Sequence, residues 1–229
     1  MIGSYVFGDN RQSLWVAENG NLTDKLTHFL PRLRAPIPNL TDLFLPESAT
    51  RNHAAQVRQA GFFAHLYTVA HGDTAIKLAD RSLASHKRIG AGALEIDFEG
   101  AGIGGDQNMA QYIFDTVARI RATKPLLPVR INVTPYKGGY LPVGLINADA
   151  RLSLAVQCYG GNMDALYSVE DVVGEVVRWG VNPAKVVAMQ AVMCAQRVGG
   201  RREVTLPQSR NIGAYYIDDL LLDAGLLPS

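Results

Sequence analysis

The chain is short of the residues that most often betray a function. Two cysteines among 229 residues make neither a disulfide framework nor a four-ligand zinc site. Cys158 and Cys194 fall in apolar, strand-like segments, so buried free thiols are expected. An excess of charge is lacking too. The 22 basic and 21 acidic residues leave a formal charge of +1, which gives no electrostatic case for nucleic acid or an anionic membrane as partner. No apolar run is long enough to span a bilayer. The opening Met1-Ile2-Gly3-Ser4-Tyr5 has neither the basic nor the apolar region of a signal peptide, so synthesis in the cytoplasm without a Sec signal is expected. The five histidines form no H-x-H pair and no H-E-x-x-H, so no metal is expected. A G-x-S-x-G nucleophile elbow is missing. Tryptophan is scarce, with Trp15 and Trp179 the two examples.

What the chain does have is a regular succession of short β-type runs. They cover Ser4–Gly8, Leu40–Leu45, Gly61–Val69, Ala93–Glu99, Pro128–Thr134, Leu152–Tyr159, Val186–Met193 and Ile212–Ile217. Segments of helical period separate several of them. Leu22–Leu33 repeats leucine at helical spacing, and Thr50–Ala60 follows Ser48, which is read as its N-cap. Asp73–Lys87 carries Ala75, Leu78, Ala79 and Leu83 on one face. Asp106–Thr123 carries Met109, Ile113, Val117 and Ile120. Val169–Trp179 opens with Ser168 and has Asp171 at its third position, much like a capping box. Lys137–Ala150 and the Arg-rich Arg197–Arg210 are only weakly helical. Alternating strands and helices imply parallel strands joined by right-handed crossovers. Eight such units fit a single α/β domain over residues 1–229, a (β/α)8 TIM barrel. An open doubly wound sheet is the competing arrangement.

The densest chemistry lies in Leu94-Glu95-Ile96-Asp97-Phe98-Glu99-Gly100. On a strand, its strict alternation puts Glu95, Asp97 and Glu99 on one face and Leu94, Ile96 and Phe98 on the other. Inside a barrel this face is the core; on an open antiparallel sheet it would only meet water. Barrels hold their active groups at the C-terminal strand ends. The candidates there are Asp9 after the first strand, His65 and Tyr67 on the third, Asp97 and Glu99 on the fourth, and Asn132 and Tyr136 on and after the fifth. Gln157 and Tyr159 follow on the sixth, Gln190 on the seventh and Asp218 at the end of the eighth. Carboxylates, amides and tyrosines around one opening suit a carbohydrate. Glu99, last on its strand, is expected to protonate a leaving glycosidic oxygen. Asp97 lies deeper on the same face, and its charge would hold the Glu99 proton to higher pH. Gln157 and Tyr159 suit a substrate carbonyl such as an N-acetyl group. Each residue also has a plainer reading. Asp9 would cap a turn, His65 would be a satisfied interior histidine, Gln157 and Tyr159 would fill the barrel, and Asp218 would cap the last helix.

The strand end Glu95-Ile96-Asp97-Phe98-Glu99 resembles the fourth strand of two glycosidase families with TIM barrels. Family 25 muramidases carry Asp-x-Glu there, with further aspartates on strands one and eight. Asp97, Glu99, Asp9 and Asp218 match those places. Gly61-Phe62-Phe63-Ala64-His65 and the helix bearing Ala75, Ala79 and Asp80 are similar to their third β/α unit. Gln190 sits where that family has Trp-Gln-Tyr, reduced here to Met189-Gln190-Ala191. Family 18 chitinases carry Asp-x-x-Asp-x-Asp-x-Glu, answered here by Gly92, Glu95, Asp97 and Glu99, so the first acid is missing. Val156-Gln157-Cys158-Tyr159 resembles their strand-six Gln-x-Tyr.

The resemblance implies a glycoside hydrolase-like protein acting on an amino-sugar polysaccharide of peptidoglycan or chitin type. It implies Asp97, Glu99 and Asp9 as catalytic carboxylates. Substrate contacts would come from Glu95, His65, Tyr67, Asn132, Tyr136, Gln157, Tyr159, Gln190 and Asp218, and no cofactor is needed. The reduced strand-seven motif and the scarcity of tryptophan favour an alternative. That is a catalytically inert barrel serving as a glycan-binding or structural part of a larger assembly, such as a phage tail with its other subunits as partners. Muramidase-like barrels without a signal peptide occur in phage lysins and tail components, so a phage-encoded virion or lysis context is expected. A nucleotide-dependent reading rests on Gly100-Ala101-Gly102-Ile103-Gly104-Gly105, which fits G-x-G-x-x-G. Glu99 beside that loop would repel phosphate, and no acid stands where a ribose would need one.

Overall fold

The computed structural model describes residues 12–16, 21–31, 33, 40–98, 108–134, 140–158, 167–191 and 212–215. Eight strands run through them: β1 (Gln12–Trp15), β2 (Leu40–Leu45), β3 (Phe63–Val69), β4 (Leu94–Asp97), β5 (Val129–Val133), β6 (Leu152–Gln157), β7 (Val186–Ala191) and β8 (Ile212–Tyr215). All are parallel, and each pairs with the next in chain order. The sheet curls round until β1 also meets β8, Ser13 facing Gly213 and Leu14 facing Ala214. Six α-helices accompany the strands: α1 (Leu22–Phe29), α2 (Arg51–Gln59), α3 (Ala75–Ile89), α4 (Met109–Thr123), α5 (Val143–Ala148) and α6 (Val169–Arg178). None is described between β7 and β8 or after β8, so what is shown is a TIM-barrel-like α/β fold.

The pleat divides the strand residues into two sets. Leu66, Leu94, Ile96, Ile131, Leu154 and Val156 are fully buried and belong to one large apolar cluster. The same cluster takes in Leu78 of α3, Ile113, Val117 and Ile120 of α4, Ile146 of α5 and Val176 of α6. This is the layer between sheet and helices, where each such side chain contributes about 1.5–3 kcal/mol by leaving water. The alternate strand residues form a second, smaller cluster of Trp15, Phe44, Ala155, Val187 and Met189, with Tyr67 packed against it. This set occupies the inner face of the curled sheet.

Local signals set the helix ends. Thr50, not Ser48, is the N-cap of α2; its hydroxyl accepts from the His53 amide while the His53 ring accepts from the Thr50 amide. A threonine at that position satisfies an orphan donor that Ser48 stands too far away to reach. Thr74 caps α3, which stops at Gly90 with φ +72°, a left-handed conformation that costs glycine least. Ser168 accepts from the Asp171 amide at the start of α6, at 3.1 Å. The expected stripe of α4 is buried at all of Met109, Ile113, Val117 and Ile120. The weakly helical 137–150 region contains α5. Cys158 is buried and free, while Cys194 lies outside the described residues.

The first strand requires a correction. The expected strand Ser4–Gly8 lies outside the described residues, and the place beside β2 is taken by Gln12–Trp15. The polar Gln12 and Ser13 gave this segment no strand signature. Ser13 is in fact buried on the inner, polar face, where the usual apolar signature of a strand is absent.

His86, in the last turn of α3, is buried, and neither ring nitrogen has a hydrogen-bond partner. Burial lowers its pKa from 6.5 to about 4, helped by Lys124 and His65 nearby. The unfolded chain therefore takes up this proton at higher pH than the folded one. Stability should fall as pH drops from 6.5 towards 4, by on the order of 2–3 kcal/mol from this group. Urea unfolding across that range should show the slope in the native protein and a flatter one in His86→Leu.

Candidate functional site

The alternation on β4 is resolved by the curl of the sheet. Leu94, Ile96 and the following Phe98 are buried in the helix-facing core. Glu95 and Asp97 occupy the inner face, 0% and 6% exposed. In register, Glu95 faces Tyr67 of β3 and Arg130 of β5, and Asp97 faces Val69 and Asn132. The carboxylates thus climb β4 as two rungs, and Asp97, its last residue, is the one nearest the C-terminal edge.

The lower rung is tied on every side. One Glu95 oxygen accepts from the Trp15 indole N–H at 2.7 Å and from the Asn132 amide at 2.9 Å. The other accepts from Nε of Arg130, which is only 1% exposed. Arg130 Nη1 donates to Ser13 Oγ at 3.3 Å. The guanidinium also lies over two rings, 4.1 Å from the Phe44 centroid and 5.0 Å from that of Trp15. Trp15 and Phe44 are themselves stacked at 5.4 Å. Each cation–π contact of a desolvated guanidinium adds about 1–2 kcal/mol. Gln157 Nε2 donates to Asn132 Oδ1 at 3.3 Å, while Gln157 Oε1 is buried and has no partner. One polar network therefore joins β1, β4, β5 and β6 across the interior.

Beside it, His65 Nε2 lies 2.7 Å from Asp42 Oδ1, both residues buried. The His65 ring also packs against Phe44 at 5.0 Å. The upper end of β4 is braced from outside. Phe98 meets Tyr112 of α4 edge-on at 5.9 Å, and the Tyr112 hydroxyl donates to the Asp73 carbonyl at 2.8 Å. Burial, then the nearby Asp73, raises the Tyr112 phenol pKa. The Asp73 carboxylate accepts from Arg81 at 3.0 Å, and the same guanidinium reaches Glu47 and the Val69 carbonyl. Arg81 thereby ties the segments that follow β2 and β3 to α3, behind the end of β4.

The expected site residues fall in different places. Glu95 and His65, expected to touch substrate, are fully buried, and each is bonded to internal partners. Asn132 and Gln157 are brought together with Glu95, and Tyr67 is half-buried against the Trp15 cluster. Gln190 lies on β7, paired with Ala214. Asp9, Glu99, Tyr136, Tyr159 and Asp218 lie outside the described residues, as does the Gly100–Gly105 loop. Asp9 also precedes β1 in the chain instead of following it. Sequence reasoning missed Arg130 and Trp15. The signal for Arg130 was a lone arginine inside the apolar run Val129–Val133, directly across a strand pair from an acid. Among the described residues, no group of three or more histidine, cysteine or acidic side chains is set to hold a metal ion. No helix among them is long and apolar enough to cross a membrane.

No protein-family model matches the chain, and no curated protein matches it. Solved structures do. A family 18 chitinase from Crocus vernus aligns over 94% of this chain and 95% of its own, with 9% identity and a TM-score of 0.57. The active domain 2 of a thermostable chitinase from Pyrococcus furiosus aligns over 90% and 83%, with 9% identity and a TM-score of 0.58. The carboxyl transferase domain of Rhizobium etli pyruvate carboxylase aligns over 76% and 32%, with 14% identity and a TM-score of 0.50. A family 25 glycosyl hydrolase is among the weaker likenesses. At such identities the likeness is one of fold alone: a TIM-barrel-like fold that proteins of different chemistry share.

The Arg130–Glu95 pair is expected to stabilise asymmetrically. Arg130→Met leaves a buried carboxylate without its counter-charge and should cost about 3–5 kcal/mol. Adding Glu95→Gln should recover most of that loss. Urea unfolding of the two single variants and the double variant checks both statements.

Proposed function

We propose that this chain is a complete (β/α)8 barrel of glycosidase type, acting on an amino-sugar polysaccharide such as a peptidoglycan- or chitin-like glycan. The observation that carries the reading is Asp97, a carboxylate buried at the C-terminal end of β4 on the inner face of the sheet. Parallel barrels place their chemistry at that edge, and a core position there is costly to give to an acid. Glu99, two residues on, protonates the departing glycosidic oxygen. Asp97 stabilises or attacks the sugar cation and keeps the Glu99 proton in place towards neutral pH. Tyr67, Tyr136, Tyr159, Gln190 and Asp218 contribute hydrogen bonds and ring contacts to the glycan, while Asn132 and Gln157, buried in the Glu95 network, hold the floor beneath it. The chitinase fold likeness supports this reading by analogy.

One observation favours a second reading. Trp15, half of the tryptophan in the chain, is locked between Glu95 and Phe44 inside the barrel, and Trp179 stands at the end of α6. Neither is placed as a platform for a sugar ring. In that reading the barrel binds a glycan without cleaving it, or serves as a subunit of a phage tail.

Release of reducing ends from peptidoglycan and chitin decides between them. The native protein should release them, and Glu99→Gln and Asp97→Asn should each lose about a hundredfold to ten-thousandfold with unfolding midpoints close to native. Undiminished turnover by a folded Glu99→Gln removes that residue from the chemistry. Binding of the glycan without any release supports the second reading.

A further inference from the structure

The glycosidase reading uses the carboxylates of β4 but leaves unexplained why the barrel holds an arginine beneath them. Arg130 is nearly inaccessible, so it cannot serve as a ligand contact. Its contacts reach three other strands at once. It meets Glu95 on β4, Ser13 and the Trp15 ring on β1, and the Phe44 ring on β2. From β5 itself, Asn132 takes the other Glu95 oxygen, and Asn132 stands in register with Asp97. A guanidinium is planar and fork-shaped, so contacts to a carboxylate edge and to two ring faces fix it in one orientation. A barrel filled by aliphatic side chains would pack as densely, yet it would place no directional constraint on β4.

We propose that Arg130 is the positioning residue of the β4 site: seated on the Phe44 and Trp15 rings, it clamps Glu95, which Trp15 and Asn132 also hold, and so sets where Asp97, one rung higher, stands at the barrel edge. This rests on the reading of Asp97 as a working carboxylate. The clamp acts through geometry, because the pair brings one positive and one negative group and leaves little net field at Asp97. Replacing both partners by neutral side chains of similar size therefore alters position while keeping the summed charge.

The test compares the native protein with the double variant Glu95→Gln/Arg130→Met and with Arg130→Lys, which keeps the charge and loses the fork. Two quantities are read in variants that unfold cooperatively. The first is the pH midpoint of the Asp97 carboxyl 13C signal, identified by its disappearance in Asp97→Asn. The second is turnover of the glycan. The midpoint should move in both variants, and kcat should fall about tenfold or more while KM stays within about threefold. An unmoved Asp97 midpoint, or undiminished turnover in the folded double variant, overturns the proposal. A native protein that cleaves no glycan overturns the glycosidase reading instead, and the Asp97 midpoint then decides the positioning role by itself.

Discussion

A carboxylate and a guanidinium, both withdrawn from water, face each other across the β4–β5 pair at the centre of this fold. Removing two such ions from solvent costs several kcal/mol each, and attraction between them repays this only where the remaining lone pairs and N–H groups are also matched. Here the Trp15 indole and the Asn132 amide bond the carboxylate, the Ser13 hydroxyl accepts from the guanidinium, and the faces of Phe44 and Trp15 flank it. An apolar filling would be no less stable, since buried ion pairs are often replaced without loss. What the pair adds is direction, because β1, β4 and β5 must stand in one relative register for its bonds to form.

The two faces of the sheet divide the work accordingly. The outer face carries the apolar area that holds strands to helices and supplies most of the stability. The inner face gives up part of that area to Asp42, His65, Glu95, Asp97, Arg130, Asn132 and Gln157. Outside, Tyr112 and Arg81 brace the end of β4 and the segments after β2 and β3. The acidic strand is thus held from within by charge and hydrogen bonds, and from behind by ring packing and a multiply bonded arginine. A carboxylate at its end has a fixed place, which any acid–base chemistry there requires.

Much of this organisation was legible in the chain. The period-two alternation of Leu94–Phe98 separated inner from outer face, and the stripe of α4 and the strand–helix succession gave the class of fold. The strand Gln12–Trp15 beside β2 was not anticipated, because the polar Gln12 and Ser13 carry no apolar strand signature. The internal partners of Glu95 and His65 were not legible, because a polar side chain on the inner face gives no sign of whether it meets a ligand or another strand. Arg130 and Trp15 were missed for a related reason: each is a single residue whose partner lies 35 or 80 positions away.

Sequence alone determined which residues share a face, because the β pleat is a local property of the backbone. It also determined the helix stripes, and the N-caps that lie directly beside their helices. Only the tertiary structure decided that the face carrying Glu95 and Asp97 turns inward, that Arg130 comes to meet Glu95, and that Trp15 is spent on holding a carboxylate. Those outcomes depend on the sheet curling until β1 reaches β8. Closure of this kind is set by the summed twist and register of all the strands, and no short stretch of sequence contains it.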